Sequence, residues 1–367
     1  MDLKAASDLF REDYAYFSSA SSGWLAHAKD YVAAMVDRFG LDTQSTHVEL
    51  ASNDGYLLQY SKAQGLKVLG VEPCQSVADV ALALDIETRV EFFGEDYAAA
   101  LVEQGWQADL ITANNVFAHV PDVNDFALGI HALLKPQGVA TIEVQHLMRL
   151  MQSNQFDTIY HEHFSYYSLY SALRVFGAAG LRIFDVEELP THGGSLRYFV
   201  CRTEAEHRET PAVARILGEE LAFGINEDAT YAAFSDKIVA LRKSFRNLLL
   251  GLKAQGKTIV GYGAPAKAAT LLNYCGIGAD VIDFTVDKAA SKQGKMIPGV
   301  RIPIKAPEAL IEARPDYILI LPWNLKSEII SQLSETSDWG AQFITAIPEP
   351  KIFAREGSLP DLARLSA

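Results

Sequence analysis

The sequence predicts an α/β protein of two lobes, each built on an open, mainly parallel sheet. Three observations carry that reading. Short runs of Val, Ile and Leu alternate with helix-length segments, as buried parallel strands joined by crossover helices do. The series occurs twice, once in each half of the chain. Each series also contains a strand-to-helix loop of the kind that holds nucleotides at a sheet edge. A chain of 367 residues, at about 150 per domain, has room for two such lobes.

Composition narrows the partners. Hydrophobic residues make up 49% and charged ones 21%, enough for a buried core and too apolar for general disorder. The 32 basic against 46 acidic residues leave a net charge of −14, which repels phosphate backbones and anionic lipid. Nucleic acid and membrane are therefore excluded as general partners, while a small anion can still be held by amides at a helix start. Cys74, Cys201 and Cys275 are scattered and form no CxxC pair. They fit neither a disulfide framework nor a structural zinc site, and they suit a reducing cytoplasm. The N-terminus is charged and lacks the apolar core of a signal peptide. The longest strongly apolar run, YILIL at 317–321, is strand-sized and far short of a membrane span.

The elements follow in order. A helix is expected over about 24–39, then strands at 47–52, 66–72, 108–115 and 138–144, with helical patterns such as 75–84 and 122–134 between them. The stretch QSNQFDTIYHEHFSYYS at 152–168 is too polar and aromatic for a simple connector. LRIFDVEELP and SLRYFVCR read as an antiparallel hairpin around THGG at 191–194. Residues 204–253 are helical and charged. The second series occupies 257–272, 281–287, 315–323 and 341–348. The expected domains are 1–203 and 204–367, with the helical connector in the second.

The first strand ends in VELASNDGYLL, where Glu49 is followed by Ala51, Ser52, Asn53, Asp54 and Gly55. Small residues there let a backbone approach a bound nucleoside without Cβ clashes. Glu72 closes the next strand, where a carboxylate can accept both ribose hydroxyls. Asn114 and Asn115 end the strand at 108–115, at the carboxyl edge where α/β ligands bind. Each has an ordinary structural reading as well: Glu72 before Pro73 could cap a helix, and the asparagines could make a turn. An NAD site would want three glycines in this loop. S-adenosylmethionine, which has no pyrophosphate, needs fewer.

Later in the chain, GYGAPAK fits GxGxxA with Gly261, Gly263 and Ala266, and Asp287 stands where a ribose-binding acid is expected. Alone, this fingerprint supports an NAD(P)-dependent sugar oxidoreductase, or a nucleotide fold that only packs or dimerises.

ELASNDGYLL, GVEP, NNVFAHVPDV, FDTIYHEHFSYYSL, THGGSLRYF, GYGAPAKAATLLNY and YILILPWNL occur in this order. Together they resemble the S-adenosylmethionine-dependent C-methyltransferases that act on nucleotide-linked 4-keto-deoxysugars, from DYAYFSS at 13–19 to about residue 350. The resemblance implies a class I methyltransferase domain followed by a second Rossmann-like domain. The cofactor it implies is S-adenosylmethionine, and the partner a nucleoside-diphosphate keto sugar. It makes His163 the general base at C-3, a role that histidine's ordinary pKa of about 6.5 suits. It sets His119 and Tyr160 near the keto oxygen or enolate. Glu162 would orient a histidine or a sugar substituent, and Tyr14 would close the pocket. His192, in the turn, is a candidate substrate contact. In the second lobe, Gly261, Gly263, Ala264 and Lys267 would face the diphosphate, with Trp323 and Asn324 at the base or ribose. A metal pair of His161 and His163, with Glu162 between them, is the weaker alternative, because no third ligand has characteristic spacing and HExxH is absent. Convergence of Tyr160, Glu162 and His163 requires an irregular loop, since a strand would alternate their faces. Typical members begin with a cysteine-rich zinc module. This sequence starts at the segment that normally follows it, so no zinc is expected.

Overall fold

The structure, a computed structural model, describes Phe10 and residues 17–353. The chain forms two compact units. One runs to Arg149 and resumes over His161–Asn226; the other comprises Leu150–Tyr160 and the chain from Glu227 onward.

The first unit is built on β1 (Thr46–Leu50), β2 (Lys67–Val71), β3 (Thr88–Arg89), β4 (Ala108–Asn114), β5 (Leu134–Gln145), β6 (Leu181–Leu189) and β7 (Ser195–Arg202). Their order across the sheet is β3-β2-β1-β4-β5-β7-β6. The first five are parallel, and β7 runs antiparallel between β5 and β6. All five residues of β1 are buried, as expected of a central strand covered on both faces. The helix Ser22–Phe39 starts where the Ser21 side chain accepts the Trp24 amide, and stops at Gly40, whose φ is 60°. Its Tyr31 hydroxyl bonds Thr112 of β4 and Thr141 of β5 at 2.7 and 2.5 Å.

The second unit carries β8 (Ile259–Tyr262), β9 (Thr285–Val286), β10 (Ile304–Lys305), β11 (Tyr317–Ile320), β12 (Gln342–Thr345) and β13 (Lys351–Phe353), ordered β10-β9-β8-β11-β12-β13. All pair in parallel except β13. The 27-residue helix Asp228–Ala254 packs Phe245 and Leu249 into this core.

Both lobes are thus α/β with mainly parallel sheets. The observed division differs from a cut at residue 203, for two physical reasons. Glu220, on the helix Pro211–Phe223, is fully buried and accepts hydrogen bonds from His146 Nε2 and the amides of Leu169 and Tyr170. That helix therefore belongs to the first unit. Phe156 sits in the second unit's core with its ring edge against Tyr274 at 5.1 Å, which draws Leu150–Tyr160 into that unit. Among the described residues, no helix is long and apolar enough to cross a membrane.

One buried group gives the first unit a predictable acid response. His47 of β1 is fully enclosed, with Nδ1 2.7 Å from Ser61 Oγ and Nε2 2.8 Å from Thr112 Oγ1. Burial lowers its pKa to about 3. The folded state thus binds the proton less well than the unfolded one. The stability this provides is complete above the unfolded value of about 6.5 and is lost as pH falls toward 3. The ceiling is about 5 kcal/mol. Chemical denaturation of wild type and His47→Gln should show their stability gap narrowing by about 2 kcal/mol between about pH 7 and about pH 4.5. An equal gap at both would reject the assignment.

Candidate functional site

Past β1 the backbone makes an unusual loop, with Ala51, Asn53 and Gly55 all left-handed (φ 54°, 51° and 77°). Two of these are not glycine, and such conformations persist where surroundings hold them. Here Ser52 N–H bonds Val71 O at 3.2 Å, and Asn53 N–H bonds Glu72 Oε2 at 2.9 Å. From the N-terminal side, the Ser18 and Ser19 amides bond Asn53 Oδ1 and Asp54 Oδ2 at 2.8 and 3.1 Å. Gly55 takes its left-handed conformation without strain, and a Cβ there would crowd Ile86 Cδ1 at 2.6 Å and Ala81 Cβ at 3.2 Å. Glu72 also accepts the Cys74 amide at 2.9 Å.

Three carboxylates, Glu49, Asp54 and Glu72, line this cradle, and all are buried. Burial pushes Glu49 well above its ordinary range; Tyr56's hydrogen bond opposes this, and the charges of Asp54 and Glu72 add to it. Glu72 is raised by burial against the pull of the Cys74 and Asn53 amides. The Tyr56 hydroxyl hydrogen-bonds Glu49 and the Asn114 side chain, and the Trp24 ring lies nearly parallel to Tyr56 at 6.0 Å. Among the described residues, Glu49 Oε2, Ser52 Oγ, Asp54 Oδ1 and Asn114 Oδ1 are buried without a hydrogen-bond partner. Buried polar atoms normally have partners. A nucleoside carrying hydroxyls, an ammonium and a sulfonium supplies the donors and positive charge this acidic cradle lacks. S-adenosylmethionine fits it. Asn115 is left-handed (φ 55°) and gives its amide to Glu143 O at 2.8 Å.

The 3-10 turn Phe117–His119 follows β4, and the irregular stretch 161–168 of the same unit docks on it. Phe164 and Ser165 amides both reach Ala118 O, at 2.8 and 3.3 Å. His119 Nδ1 lies 2.7 Å from the backbone oxygen of Glu162. A carbonyl only accepts, so Nδ1 carries the hydrogen and Nε2 is left as an acceptor. Burial lowers the His119 pKa, with the Glu162 carbonyl opposing, which keeps the ring neutral. His163 meets His119 edge to face at 4.8 Å and Tyr166 at 5.8 Å, and it is half-buried. Phe10 packs edge-on against His119 at 5.6 Å. The Glu162 carboxyl is raised by burial.

His119, Glu162 and His163 therefore come together in the first unit. Tyr160 closes the inserted segment of the second unit and is half-buried there. Tyr14 lies outside the described residues. His161 is exposed, and Tyr167 is buried in a stack with Phe117 at 4.3 Å. His192 is exposed and left-handed (φ 52°), edge-on to Trp24 at 5.6 Å.

In the second unit the GYGAPAK loop is already occupied by its own chain. A Cβ on Gly261 would meet Thr285 Oγ1 at 2.7 Å, and one on Gly263 (φ 85°) would meet Pro322 at 2.6 Å. Ala264 N–H bonds Asp287 Oδ2 at 2.7 Å, while Asp287 Oδ1 accepts the Ala289 amide at 2.8 Å. The acid expected to hold a ribose and an amide expected to face a pyrophosphate thus satisfy each other, which weighs against a dinucleotide here. Lys267 remains: its ammonium hydrogen-bonds Asn324 Oδ1 and stands 4.3 Å from the Trp323 ring centre. The Trp323 indole N–H bonds Asp157 Oδ2 at 2.7 Å. Burial raises Asp157 to about 6, with Lys267 opposing; burial lowers Lys267 to about 8, with Asp157 opposing.

Sequence reasoning missed Tyr56, Trp24 and Asp157. A Tyr directly after the loop glycine and an Asp just before YHEH were the available signals.

Comparison with known proteins shows the family. A family described as a methyltransferase domain matches residues 24–186, and one described as a C-methyltransferase C-terminal domain matches 190–348. The chain is 40% identical over 352 residues to the C-methyltransferase NovU of Streptomyces niveus, covering 96% of this chain and 84% of that one. Similar solved structures include an S-adenosylmethionine-dependent methyltransferase from Anabaena variabilis (13% identity, TM-score 0.44, 55% of this chain and 96% of that one). Another is the magnesium protoporphyrin IX methyltransferase of Synechocystis with bound S-adenosylmethionine (12% identity, TM-score 0.38, 53% and 88%). The chain belongs to the S-adenosylmethionine-dependent C-methyltransferase family.

Proposed function

We propose that the chain methylates the carbon alpha to the ketone, C-3, of a nucleoside-diphosphate 4-keto-6-deoxy sugar. The observation that most supports this is the His163–His119 pair, placed after β4, the same strand that supplies Asn114 to the donor cradle. Methylating carbon requires a carbanion equivalent, and a base beside a ketone provides one.

When bound, S-adenosylmethionine would supply an electrophilic methyl group to the enolate carbon, the S–CH3 bond breaking to give a neutral thioether. Glu72 would hold its ribose, and the buried oxygens of Glu49, Ser52, Asp54 and Asn114 would face the rest. His163 takes the alpha proton, so the C–H electron pair moves toward the carbonyl oxygen. His119, neutral and protonated on Nδ1, offers an acceptor at Nε2 and cannot itself donate to an enolate oxygen. Tyr160 is then the hydroxyl donor for that oxygen. Glu162 fixes the His119 ring through its backbone carbonyl. Lys267, Trp323 and Asn324 take the nucleoside-diphosphate end, since the amides of Gly261, Gly263 and Ala264 are already bonded to Phe284, Val286 and Asp287.

The test uses a donor labelled with carbon-13 in its methyl group and a panel of nucleoside-diphosphate keto sugars. The expected product shows the label coupled to a ring carbon next to the former ketone. Label on oxygen, or none on any keto sugar, would reject the reading.

A further inference from the structure

Glu143 lies near the carboxyl end of β5 with no exposed surface, a costly place for a charge. Three donors converge on it. Arg197 Nη2 and His27 Nε2 reach Oε2 at 2.8 and 3.2 Å, and Thr191 Oγ1 reaches Oε1 at 2.8 Å. Burial works against ionisation, but His27, Arg197 and Thr191 outweigh it and hold the carboxyl at about 2. Strand register sets Glu143 between Asn114 of β4 and Arg197 of β7.

The contacts continue into the donor cradle. His27 stacks on Trp24 at 4.9 Å, Trp24 lies against Tyr56 at 6.0 Å, and Tyr56 bonds Asn114, the strand neighbour of Glu143. The ring of contacts therefore closes on itself. Thr191 opens the turn in which His192 is left-handed and exposed, edge-on to Trp24. Two further bonds tighten this turn: Gly194 N–H to Thr191 O at 2.9 Å, and Ser195 Oγ–H to the same oxygen at 3.1 Å. Such a conformation in a non-glycine residue needs holding, and the Thr191–Glu143 bond ties the turn to the sheet.

We propose that Glu143 is a positioning residue that acts through Thr191: it fixes the exposed His192 imidazole beside the donor cradle, where His192 meets a hydroxyl of the sugar acceptor. The acceptor half of this inference rests on the function proposed above; the brace itself does not.

Thr191→Val removes the bond and leaves the buried charge paired with Arg197 and His27. Two readouts are needed. The first is the ring-proton shift of His192, which the Trp24 ring current displaces in wild type. It should collapse in Thr191→Val and survive in Thr191→Ser. The second is KM for the keto sugar. It should rise about tenfold in Thr191→Val and in His192→Ala, and no further in the double variant, with affinity for S-adenosylhomocysteine unchanged. An unaltered His192 shift in Thr191→Val overturns the brace. A lost shift with unchanged KM, or effects that add in the double variant, overturns the contact with substrate. If wild type methylates no keto sugar, the functional reading and the acceptor half fall together, and the His192 shift alone decides the brace.

Discussion

Replacing His163 by alanine or asparagine is expected to lower methyl transfer by about 10²- to 10⁴-fold, the usual contribution of a positioned general base. Binding of S-adenosylhomocysteine should be retained. The ring is half-buried on an irregular loop and outside the apolar core, so its removal leaves the sheet intact. The donor cradle is assembled from other residues, by Glu72, Asn53, Ser18 and Ser19 contacts. The change should therefore appear in single-turnover rates and be absent from calorimetric titration of the cofactor product. His119 is the poorer base of the two, because burial lowers the basicity of its ring. Turnover within about threefold of wild type, against the loss expected of a base, would remove His163 from that role.

The second large effect is expected at Glu72. Its two carboxylate oxygens accept the Asn53 and Cys74 amides, and its charge faces the place proposed for the cofactor's ribose. Glu72→Ala removes both anchors from a loop already held in left-handed conformations at Ala51 and Asn53. Hydrogen bonds to a charged group contribute about 1.5–3 kcal/mol each, so loss of one to the ribose and loosening of the loop should weaken S-adenosylhomocysteine binding by about 100-fold. Glu72→Gln keeps one acceptor and should fall between. Calorimetric titration of the three proteins checks the order. Equal affinities would refute the assignment of Glu72 to the cofactor.

Much of the scaffold could be read from the chain because its signals are local. The runs HVEL, KVLGV and DLITAN match β1, β2 and β4 because strands buried on both faces must be continuously apolar. The THGG hairpin was legible for the same reason. The two-residue β3 was not, since Thr88–Arg89 is too short to carry a pattern. The unit boundary escaped because the contacts that set it, through Glu220 and Phe156, join residues far apart in sequence. The site shows the same divide. Glu49, Glu72 and Asn114 announce themselves as polar residues ending strands. Tyr56, Trp24 and the donors around Glu143 become meaningful only through the rings and carboxylates they meet across the fold. The tautomer of His119 depends on a backbone oxygen 43 residues away, and no residue pattern encodes that. The glycines of the GYGAPAK loop match a dinucleotide fingerprint, and in the fold a Cβ on Gly261 or Gly263 would meet Thr285 or Pro322.

The central claim is that His163 ionises the carbon beside the ketone before any methyl group moves. Proton exchange with solvent isolates that step. With S-adenosylhomocysteine bound in heavy water, wild type should replace the C-3 hydrogen of the keto sugar by deuterium, seen as loss of its proton resonance, and His163→Ala should not. Equal exchange in both proteins would contradict the account.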